Sequence, residues 1–287
     1  MQPTVVLLHG AFANSFSFAP LQAELGLLGH RSVAVDLPGH GFAATYPRAY
    51  QTPQDPKELA AAPGVLKSVS HADNTAHLIA VLERASANGP VVLVAHSRGG
   101  VVATAVANTR PDLIDRLVYV AAWCPVDLEV AAYYAEPEMA EVDPDVLGHV
   151  LACDPAELGL IRANFRTADD RALAGLKDAF LADGTDDELL AFLATLQPDE
   201  SLDAGGPDDR ARAGSWGSLP RTYVRLTGDA SLPLALQDRL IREGDALTPD
   251  NPFDVRTLHG SHLRWMVRPE AAARLLAEIA GETVSNP

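Results

Sequence analysis

Cysteine is scarce in this 287-residue chain: Cys124 and Cys153 are its two, and they form neither a C-x-x-C nor a zinc-type spacing. That argues against a disulfide scaffold and against a recognisable metal module, and it predicts a reduced, cytoplasmic setting with no metal. Long apolar runs are missing too. No stretch reaches the roughly 18 uninterrupted apolar residues of a membrane helix, so no membrane partner is expected. The segment Met1-Gln2-Pro3 enters an apolar run without a basic n-region or a small-residue cleavage site, which predicts no secretion signal. Basic residues are few: 22 Lys and Arg face 38 Asp and Glu, giving a formal net charge of -16. Such a charge, with no local basic cluster, repels phosphate backbones and anionic lipid, so nucleic acid is not an expected partner either. We read the acidity as a solvated surface rather than a device for steering cationic substrates.

What the chain does have is apolar matter in short pieces. It is 47% hydrophobic and 21% charged, enough to bury a core and ordinary for a globular surface. Short β-branched runs recur, each followed by a turn and a longer segment with helical apolar spacing, the pattern of a parallel sheet with crossover helices. Strands are predicted over residues 4–9, 32–36, 91–95, 117–120, 222–227 and 254–258. Their unbroken apolar character predicts cover on both faces. Helices are predicted over 18–28, 72–87, 99–109 and 269–280, the last opened by Pro269 at a first helical position. The predicted fold class is α/β, a doubly wound, mostly parallel six-stranded sheet.

Two segments break this rhythm. Residues 43–70, rich in Pro, Ala and Gln, read as a long loop with one short helix at 56–62. Residues 123–218 contain no strand-like run but several helical ones, at 156–164, 171–181 and 187–196. They are expected to form a helical cap inserted between the fourth and fifth strands, with the turn-rich stretch 203–209 leading back. The core would then comprise residues 1–122 and 219–287.

The strongest chemical signal is the run from Val91 to Gly100, an apolar strand that turns through Ser97 into a helix. A serine on so sharp a turn needs small residues two positions before and after it, because strand and helix nearly touch there. Ala95, Gly99 and Gly100 meet that need. The turn would expose the Ser97 hydroxyl and aim the first N–H groups of the helix at whatever binds.

Ala95-His96-Ser97-Arg98-Gly99 resembles the G-x-S-x-G nucleophile elbow of α/β-hydrolases, with Ala95 in place of the first glycine. His9-Gly10-Ala11-Phe12 resembles the H-G-x turn that supplies half of the oxyanion hole in that fold. The resemblance implies that the N–H groups of Ala11 and Arg98 stabilise a developing oxyanion. His9 is read as holding the turn, and Asp36-Leu37-Pro38-Gly39-His40-Gly41 as a tight reversal in which Asp36 and His40 carry no catalysis. Among the histidines, His259 and His262 lie just past the last strand, and His262 matches the family's catalytic base several residues before a Pro-Glu helix start. His259 is expected to be structural, since the pair lacks a third metal ligand in any recognisable pattern. The acid should follow in the order serine, acid, histidine, which implies Asp229 after the fifth strand, with Asp127 after the fourth as the competing candidate.

Leu232-Pro233 and Gln237, close behind Asp229, resemble the plant methyl esterase and hydroxynitrile lyase branch. Lyases of that branch carry a lysine after the catalytic histidine and a threonine after the first-strand histidine. Leu263 and Gly10 stand there instead, so the resemblance implies the esterase side. The expected function is a serine hydrolase of a small apolar or aromatic acyl compound, without a cofactor, using Ser97, His262 and Asp229. Ester, lactone, thioester and amide stay open. So do a lyase, a C–C hydrolase, a cofactor-free oxygenase and a slow-turnover receptor, and the oligomeric state. Phe12 and Trp123 are the candidate substrate contacts, with Phe16, Tyr133, Tyr134 and Phe165 as further candidates for the apolar wall.

Overall fold

The computed structural model of the chain describes residues 2–143 and 145–285. Met1, Pro144 and residues 286–287, which fall at the ends of the expected core segments and within the expected insertion, lie outside the described residues. In chain order the elements are β1 (Thr4–Leu8), α1 (Ala19–Leu27), β2 (Arg31–Val35), α2 (Pro56–Ala61), α3 (His71–Ser86), β3 (Val91–Ser97), α4 (Gly99–Thr109) and β4 (Arg116–Ala122). After β4 come α5 (Val130–Tyr133), α6 (Pro155–Leu158), β5 (Ile161–Arg162), α7 (Asp170–Phe180), α8 (Asp186–Leu193) and β6 (Asp199–Glu200). The chain then returns through β7 (Arg221–Leu226), α9 (Leu234–Leu247), β8 (Asp254–Leu258), α10 (Arg264–Val267) and α11 (Glu270–Ser285).

Six of these strands form one sheet in the order β2-β1-β3-β4-β7-β8, with every neighbouring pair parallel. Side chains on a strand alternate between faces, and β1 shows how the chain uses this. Val6 and Leu8 join a core shared with α3, α4 and α9, whereas Val5 and Leu7 join a core shared with α1 and α11. Parallel strands need such two-sided cover, which is why β1 is apolar and buried along its whole length. The edge strands depart from the expected two-sided burial. Val33 on β2 and Val255 on β8 are open to solvent, because an edge strand has a neighbour on one side only. Charged side chains such as Arg31 and Arg256 on these strands discourage edge-to-edge pairing with another chain.

Residues 123–218 lie between β4 and β7, and here the expected secondary structure needs correction. The helix predicted over 156–164 stops at Leu158, where Gly159 takes a left-handed conformation at φ 79° and turns the chain. Beyond it β5 pairs antiparallel with β6, so this region holds strands where none were expected. The reason is a long-range ion pair. Arg162, fully buried, donates from Nε and Nη2 to the two carboxylate oxygens of Asp199 at 2.6 and 2.7 Å, and its Nη1 reaches the carbonyls of Leu59 and Ala62. Helix α8 ends at Leu193 rather than 196, and α9, which was not predicted, packs Leu236 and Leu240 beneath the sheet.

Candidate active site

Strand β3 ends in a register shift between His96 and Ser97, and Ser97 sits at φ 51°, a region that non-glycine residues seldom occupy. That local strain lifts the half-buried serine out of the strand at the point where α4 begins. The small residues flanking it are required by contact. A Cβ on Gly100 would lie 2.2 Å from the Trp123 carbonyl, and one on Gly10 would lie 2.8 Å from the Cβ of Ser97. Ala95, in the first glycine position of the elbow, is fully buried in the core.

The loop after β7 and the loop after β8 are tied by Gly228 N–H donating to Gly260 O at 2.9 Å. That tie brings Asp229 and His262 together: His262 Nδ1 is 2.6 Å from Asp229 Oδ2, with both residues buried. The other oxygen of Asp229 accepts the N–H groups of Ser231 and Leu232, each at 2.8 Å. Oδ1 thus accepts two backbone N–H groups, which leaves Oδ2 facing the imidazole. Asp127 is exposed, its N–H donating to Glu243 and its carbonyl accepting from Arg210, so it is not the carboxylate that meets His262. His259 is also exposed and contacts Thr227.

Ser97, His262, Ala11 and Arg98 line one cavity of about 330 Å³. Beside it the buried His96 ring lies 4.4 Å from that of His262. Burial, with the nearby His262, holds His96 well below the ordinary histidine value, so it is neutral. His9 donates from Nδ1 to Gly10 O and accepts the Leu37 N–H at Nε2, fastening the first turn to the one after β2. Burial, with His40 adding, lowers it to about 4. Asp36 accepts the N–H and hydroxyl of Ser15.

Of the aromatic side chains expected in the wall, Phe12, Trp123, Tyr134 and Phe165 line the cavity. Phe16 instead packs edge-on against exposed Phe42, and Tyr133 turns away to bond Glu243, so neither reaches it. Sequence reasoning missed Phe180, Phe192 and Glu200, which also line it. Leu176 and Phe180 are one helical turn apart on α7, a spacing that could have revealed this face. Glu200 had no local signal. Among the described residues no group of three or more His, Cys, Asp or Glu side chains could hold a metal ion, and no helix is long and apolar enough to cross a membrane.

The profile of the alpha/beta hydrolase family matches residues 5–275. The chain is 25% identical over 279 residues to a pyrethroid hydrolase of Sphingobium wenxiniae, spanning 96% of this chain and 87% of that protein. It is likewise 25% identical over 294 residues to methylesterase 7 of Arabidopsis thaliana, spanning 97% and 96%. The crystal structure of polyneuridine aldehyde esterase has a TM-score of 0.69 to it at 18% identity, covering 98% of this chain and 100% of that one. With the parallel sheet, the sharp turn at Ser97 and a profile that runs from β1 into α11, the chain belongs to the alpha/beta hydrolase family.

Proposed function

We propose that this protein is a serine hydrolase of a carboxylic ester or related acyl compound, with Ser97 as nucleophile, His262 as base and Asp229 as its orienting acid. The observation that carries the reading is the 2.6 Å contact of His262 Nδ1 with Asp229 beside a cavity that both His262 and Ser97 line. An acceptor-only carboxylate fixes the tautomer with the proton on Nδ1 and leaves Nε2 as the base. Ser97 Oγ attacks the acyl carbon as its proton passes to Nε2, and the carbonyl electrons move onto oxygen. The N–H groups of Ala11 and Arg98 donate to that oxyanion. Such a donor is worth about 10²–10³ in kcat, because it is in place before the charge forms. Collapse expels the alcohol with the proton from His262, leaving an acyl-serine. Water then repeats the sequence and releases the acid. The neutral His96 adds no positive charge against the imidazolium, while the buried Asp229 carboxylate stabilises it.

Trp123, Tyr134, Phe165, Phe180 and Phe192 give the cavity an apolar wall, and its volume falls within the roughly 300–1,000 Å³ typical of small-molecule sites. An apolar or aromatic acyl substrate suits that wall. All five come from residues 123–218, which we read as the cap that sets substrate choice. Leu263, buried in the same wall, puts no cation beside His262, which favours ester cleavage over cyanohydrin cleavage. The relatives named as a pyrethroid hydrolase and a methylesterase support an ester.

An aryl ester assay with fluorophosphonate labelling tests the proposal. Ser97 should be labelled stoichiometrically, and Ser97→Ala should keep its fold while kcat drops on the order of 10⁶-fold. A folded Ser97→Ala protein that hydrolyses at the parent rate would overturn it.

A further inference from the structure

Glu200 is a carboxylate where an apolar cavity gives no reason to expect one. It is 5% exposed, lies on the short strand β6, and lines the cavity beside Phe12 and Arg98. Burying an ionised carboxylate is costly unless its oxygens are satisfied, and both are. Oε2 accepts the Phe12 N–H at 2.8 Å and faces His40 Nε2 at 3.5 Å. Oε1 accepts the Ser201 N–H at 2.8 Å and faces the Arg98 guanidinium at 3.9 Å. Phe12 itself needs holding, because it sits at φ 58°, outside the ordinary range for a residue with a side chain. Residues 197–200 secure both its backbone groups, with Gln197 N–H donating to the Phe12 carbonyl at 3.0 Å.

We propose that Glu200 is a positioning residue for acyl transfer: its carboxylate links the Gly10-Ala11-Phe12 turn to Arg98 and sets the spacing of the two N–H groups that receive the oxyanion. The inference rests on the Ser97 mechanism and deepens it. By occupying the Phe12 N–H, Glu200 denies that donor to the substrate and leaves the task to its neighbour Ala11. Through Arg98 the same side chain reaches the residue that follows the nucleophile, so one group spans both halves of the oxyanion site. Its own strand is fixed in turn by the Arg162–Asp199 pair one residue away.

The test uses the isosteric Glu200→Gln. An amide presents one acceptor oxygen and one NH2, so whichever way it turns, either the Phe12 N–H or the Ser201 N–H meets a donor. The expected result is a kcat about 10- to 100-fold lower with KM within about twofold, since misplacing catalytic geometry by an ångström can cost 10²-fold. Ki for an arylboronic acid, whose tetrahedral adduct puts an oxygen in the oxyanion position, should rise in parallel. Glu200→Asp keeps the negative charge but, one methylene shorter, withdraws it from the Phe12 N–H, should lower kcat in the same sense, and decides the matter if the glutamine protein does not fold. Unchanged kcat in a folded variant, or a loss confined to KM, would overturn the inference. Failure of the unsubstituted protein to be labelled at Ser97 would instead overturn the mechanism on which it rests.

Discussion

Asp229 holds His262 with one oxygen and its own loop with the other, so the carboxylate cannot rotate to follow the ring without losing two backbone bonds. That rigidity makes the amide a sharp probe. Asp229→Asn keeps the volume but offers an NH2 where Nδ1–H must donate, which favours the wrong imidazole tautomer and costs about 10⁴ in kcat in a comparable protease triad. We expect a loss of that order here, measured as kcat on an aryl ester, with Asp127→Asn within about twofold of the parent. A damaging Asp127→Asn and a mild Asp229→Asn would reverse the assignment. On position after a strand the two aspartates were alternatives in the sequence, because both stand in loops at the strand C-terminal ends. Distance to His262 separates them, and that distance depends on the tie between Gly228 and Gly260.

The β5–β6 pair is the element where sequence patterning failed, and its energetics show why. Residues 156–164 carry a helical apolar spacing, yet only 155–158 form the helix, because Arg162 has a better arrangement opposite Asp199, 37 residues later. A fully desolvated, bidentate Arg–carboxylate pair with two further backbone acceptors outweighs the small propensity differences, under about 1 kcal/mol per residue, that a local pattern encodes. Removing one partner should be severe, since it strands a buried charge. Arg162→Met is expected to lower the free energy of unfolding by about 3–5 kcal/mol in urea melts. Lys177→Met, which breaks the pair with the largely exposed Asp186, should change it far less. Equal small effects from the two substitutions would show that β5 and β6 are not held by this pair. By contrast α3 was legible from its own apolar spacing, and the structure adds a reciprocal capping box of Ser70 and Asp73 at its start.

At the scale of the whole molecule, buried titrating groups couple acidity to folding. His9 is lowered to about 4 by burial and by His40, and His96 is lowered well below its ordinary value by burial and by His262. The unfolded chain takes up these protons near the usual value of about 6.5 while the folded one does not, so stability falls as pH drops below 6.5. For His9 the loss by pH 4 is on the order of 3 kcal/mol. Glu200 acts in the same sense at lower pH. Burial opposes its charge but Arg98 and His40 outweigh it, so its depressed value contributes stability above the usual carboxylate value of about 4.3 that is lost below it. His40 runs the other way: burial is outweighed by Glu200, and its contribution is present below about 6.5 and lost as pH rises through its raised value. Burial lowers His71 as well, so three histidines against one give a net loss on acidification. Urea midpoints should fall from pH 7 to pH 4.5, and His9→Asn should shrink the fall; a midpoint that rises on acidification would contradict this. The sequence by itself determined the parallel α/β sheet and the small residues around Ser97, because apolar period and steric need are properties of neighbouring residues, while its resemblance to α/β-hydrolases pointed to the turn at Gly10 and to Asp229 and His262 in the loops after their strands. Only the tertiary structure decided that Asp229 rather than Asp127 meets His262, that Arg162 and Asp199 make strands, and that Glu200 reaches Phe12 across 188 positions of chain. Those contacts join residues far apart in sequence, and their energy comes from desolvation and geometry that exist only once the segments are packed.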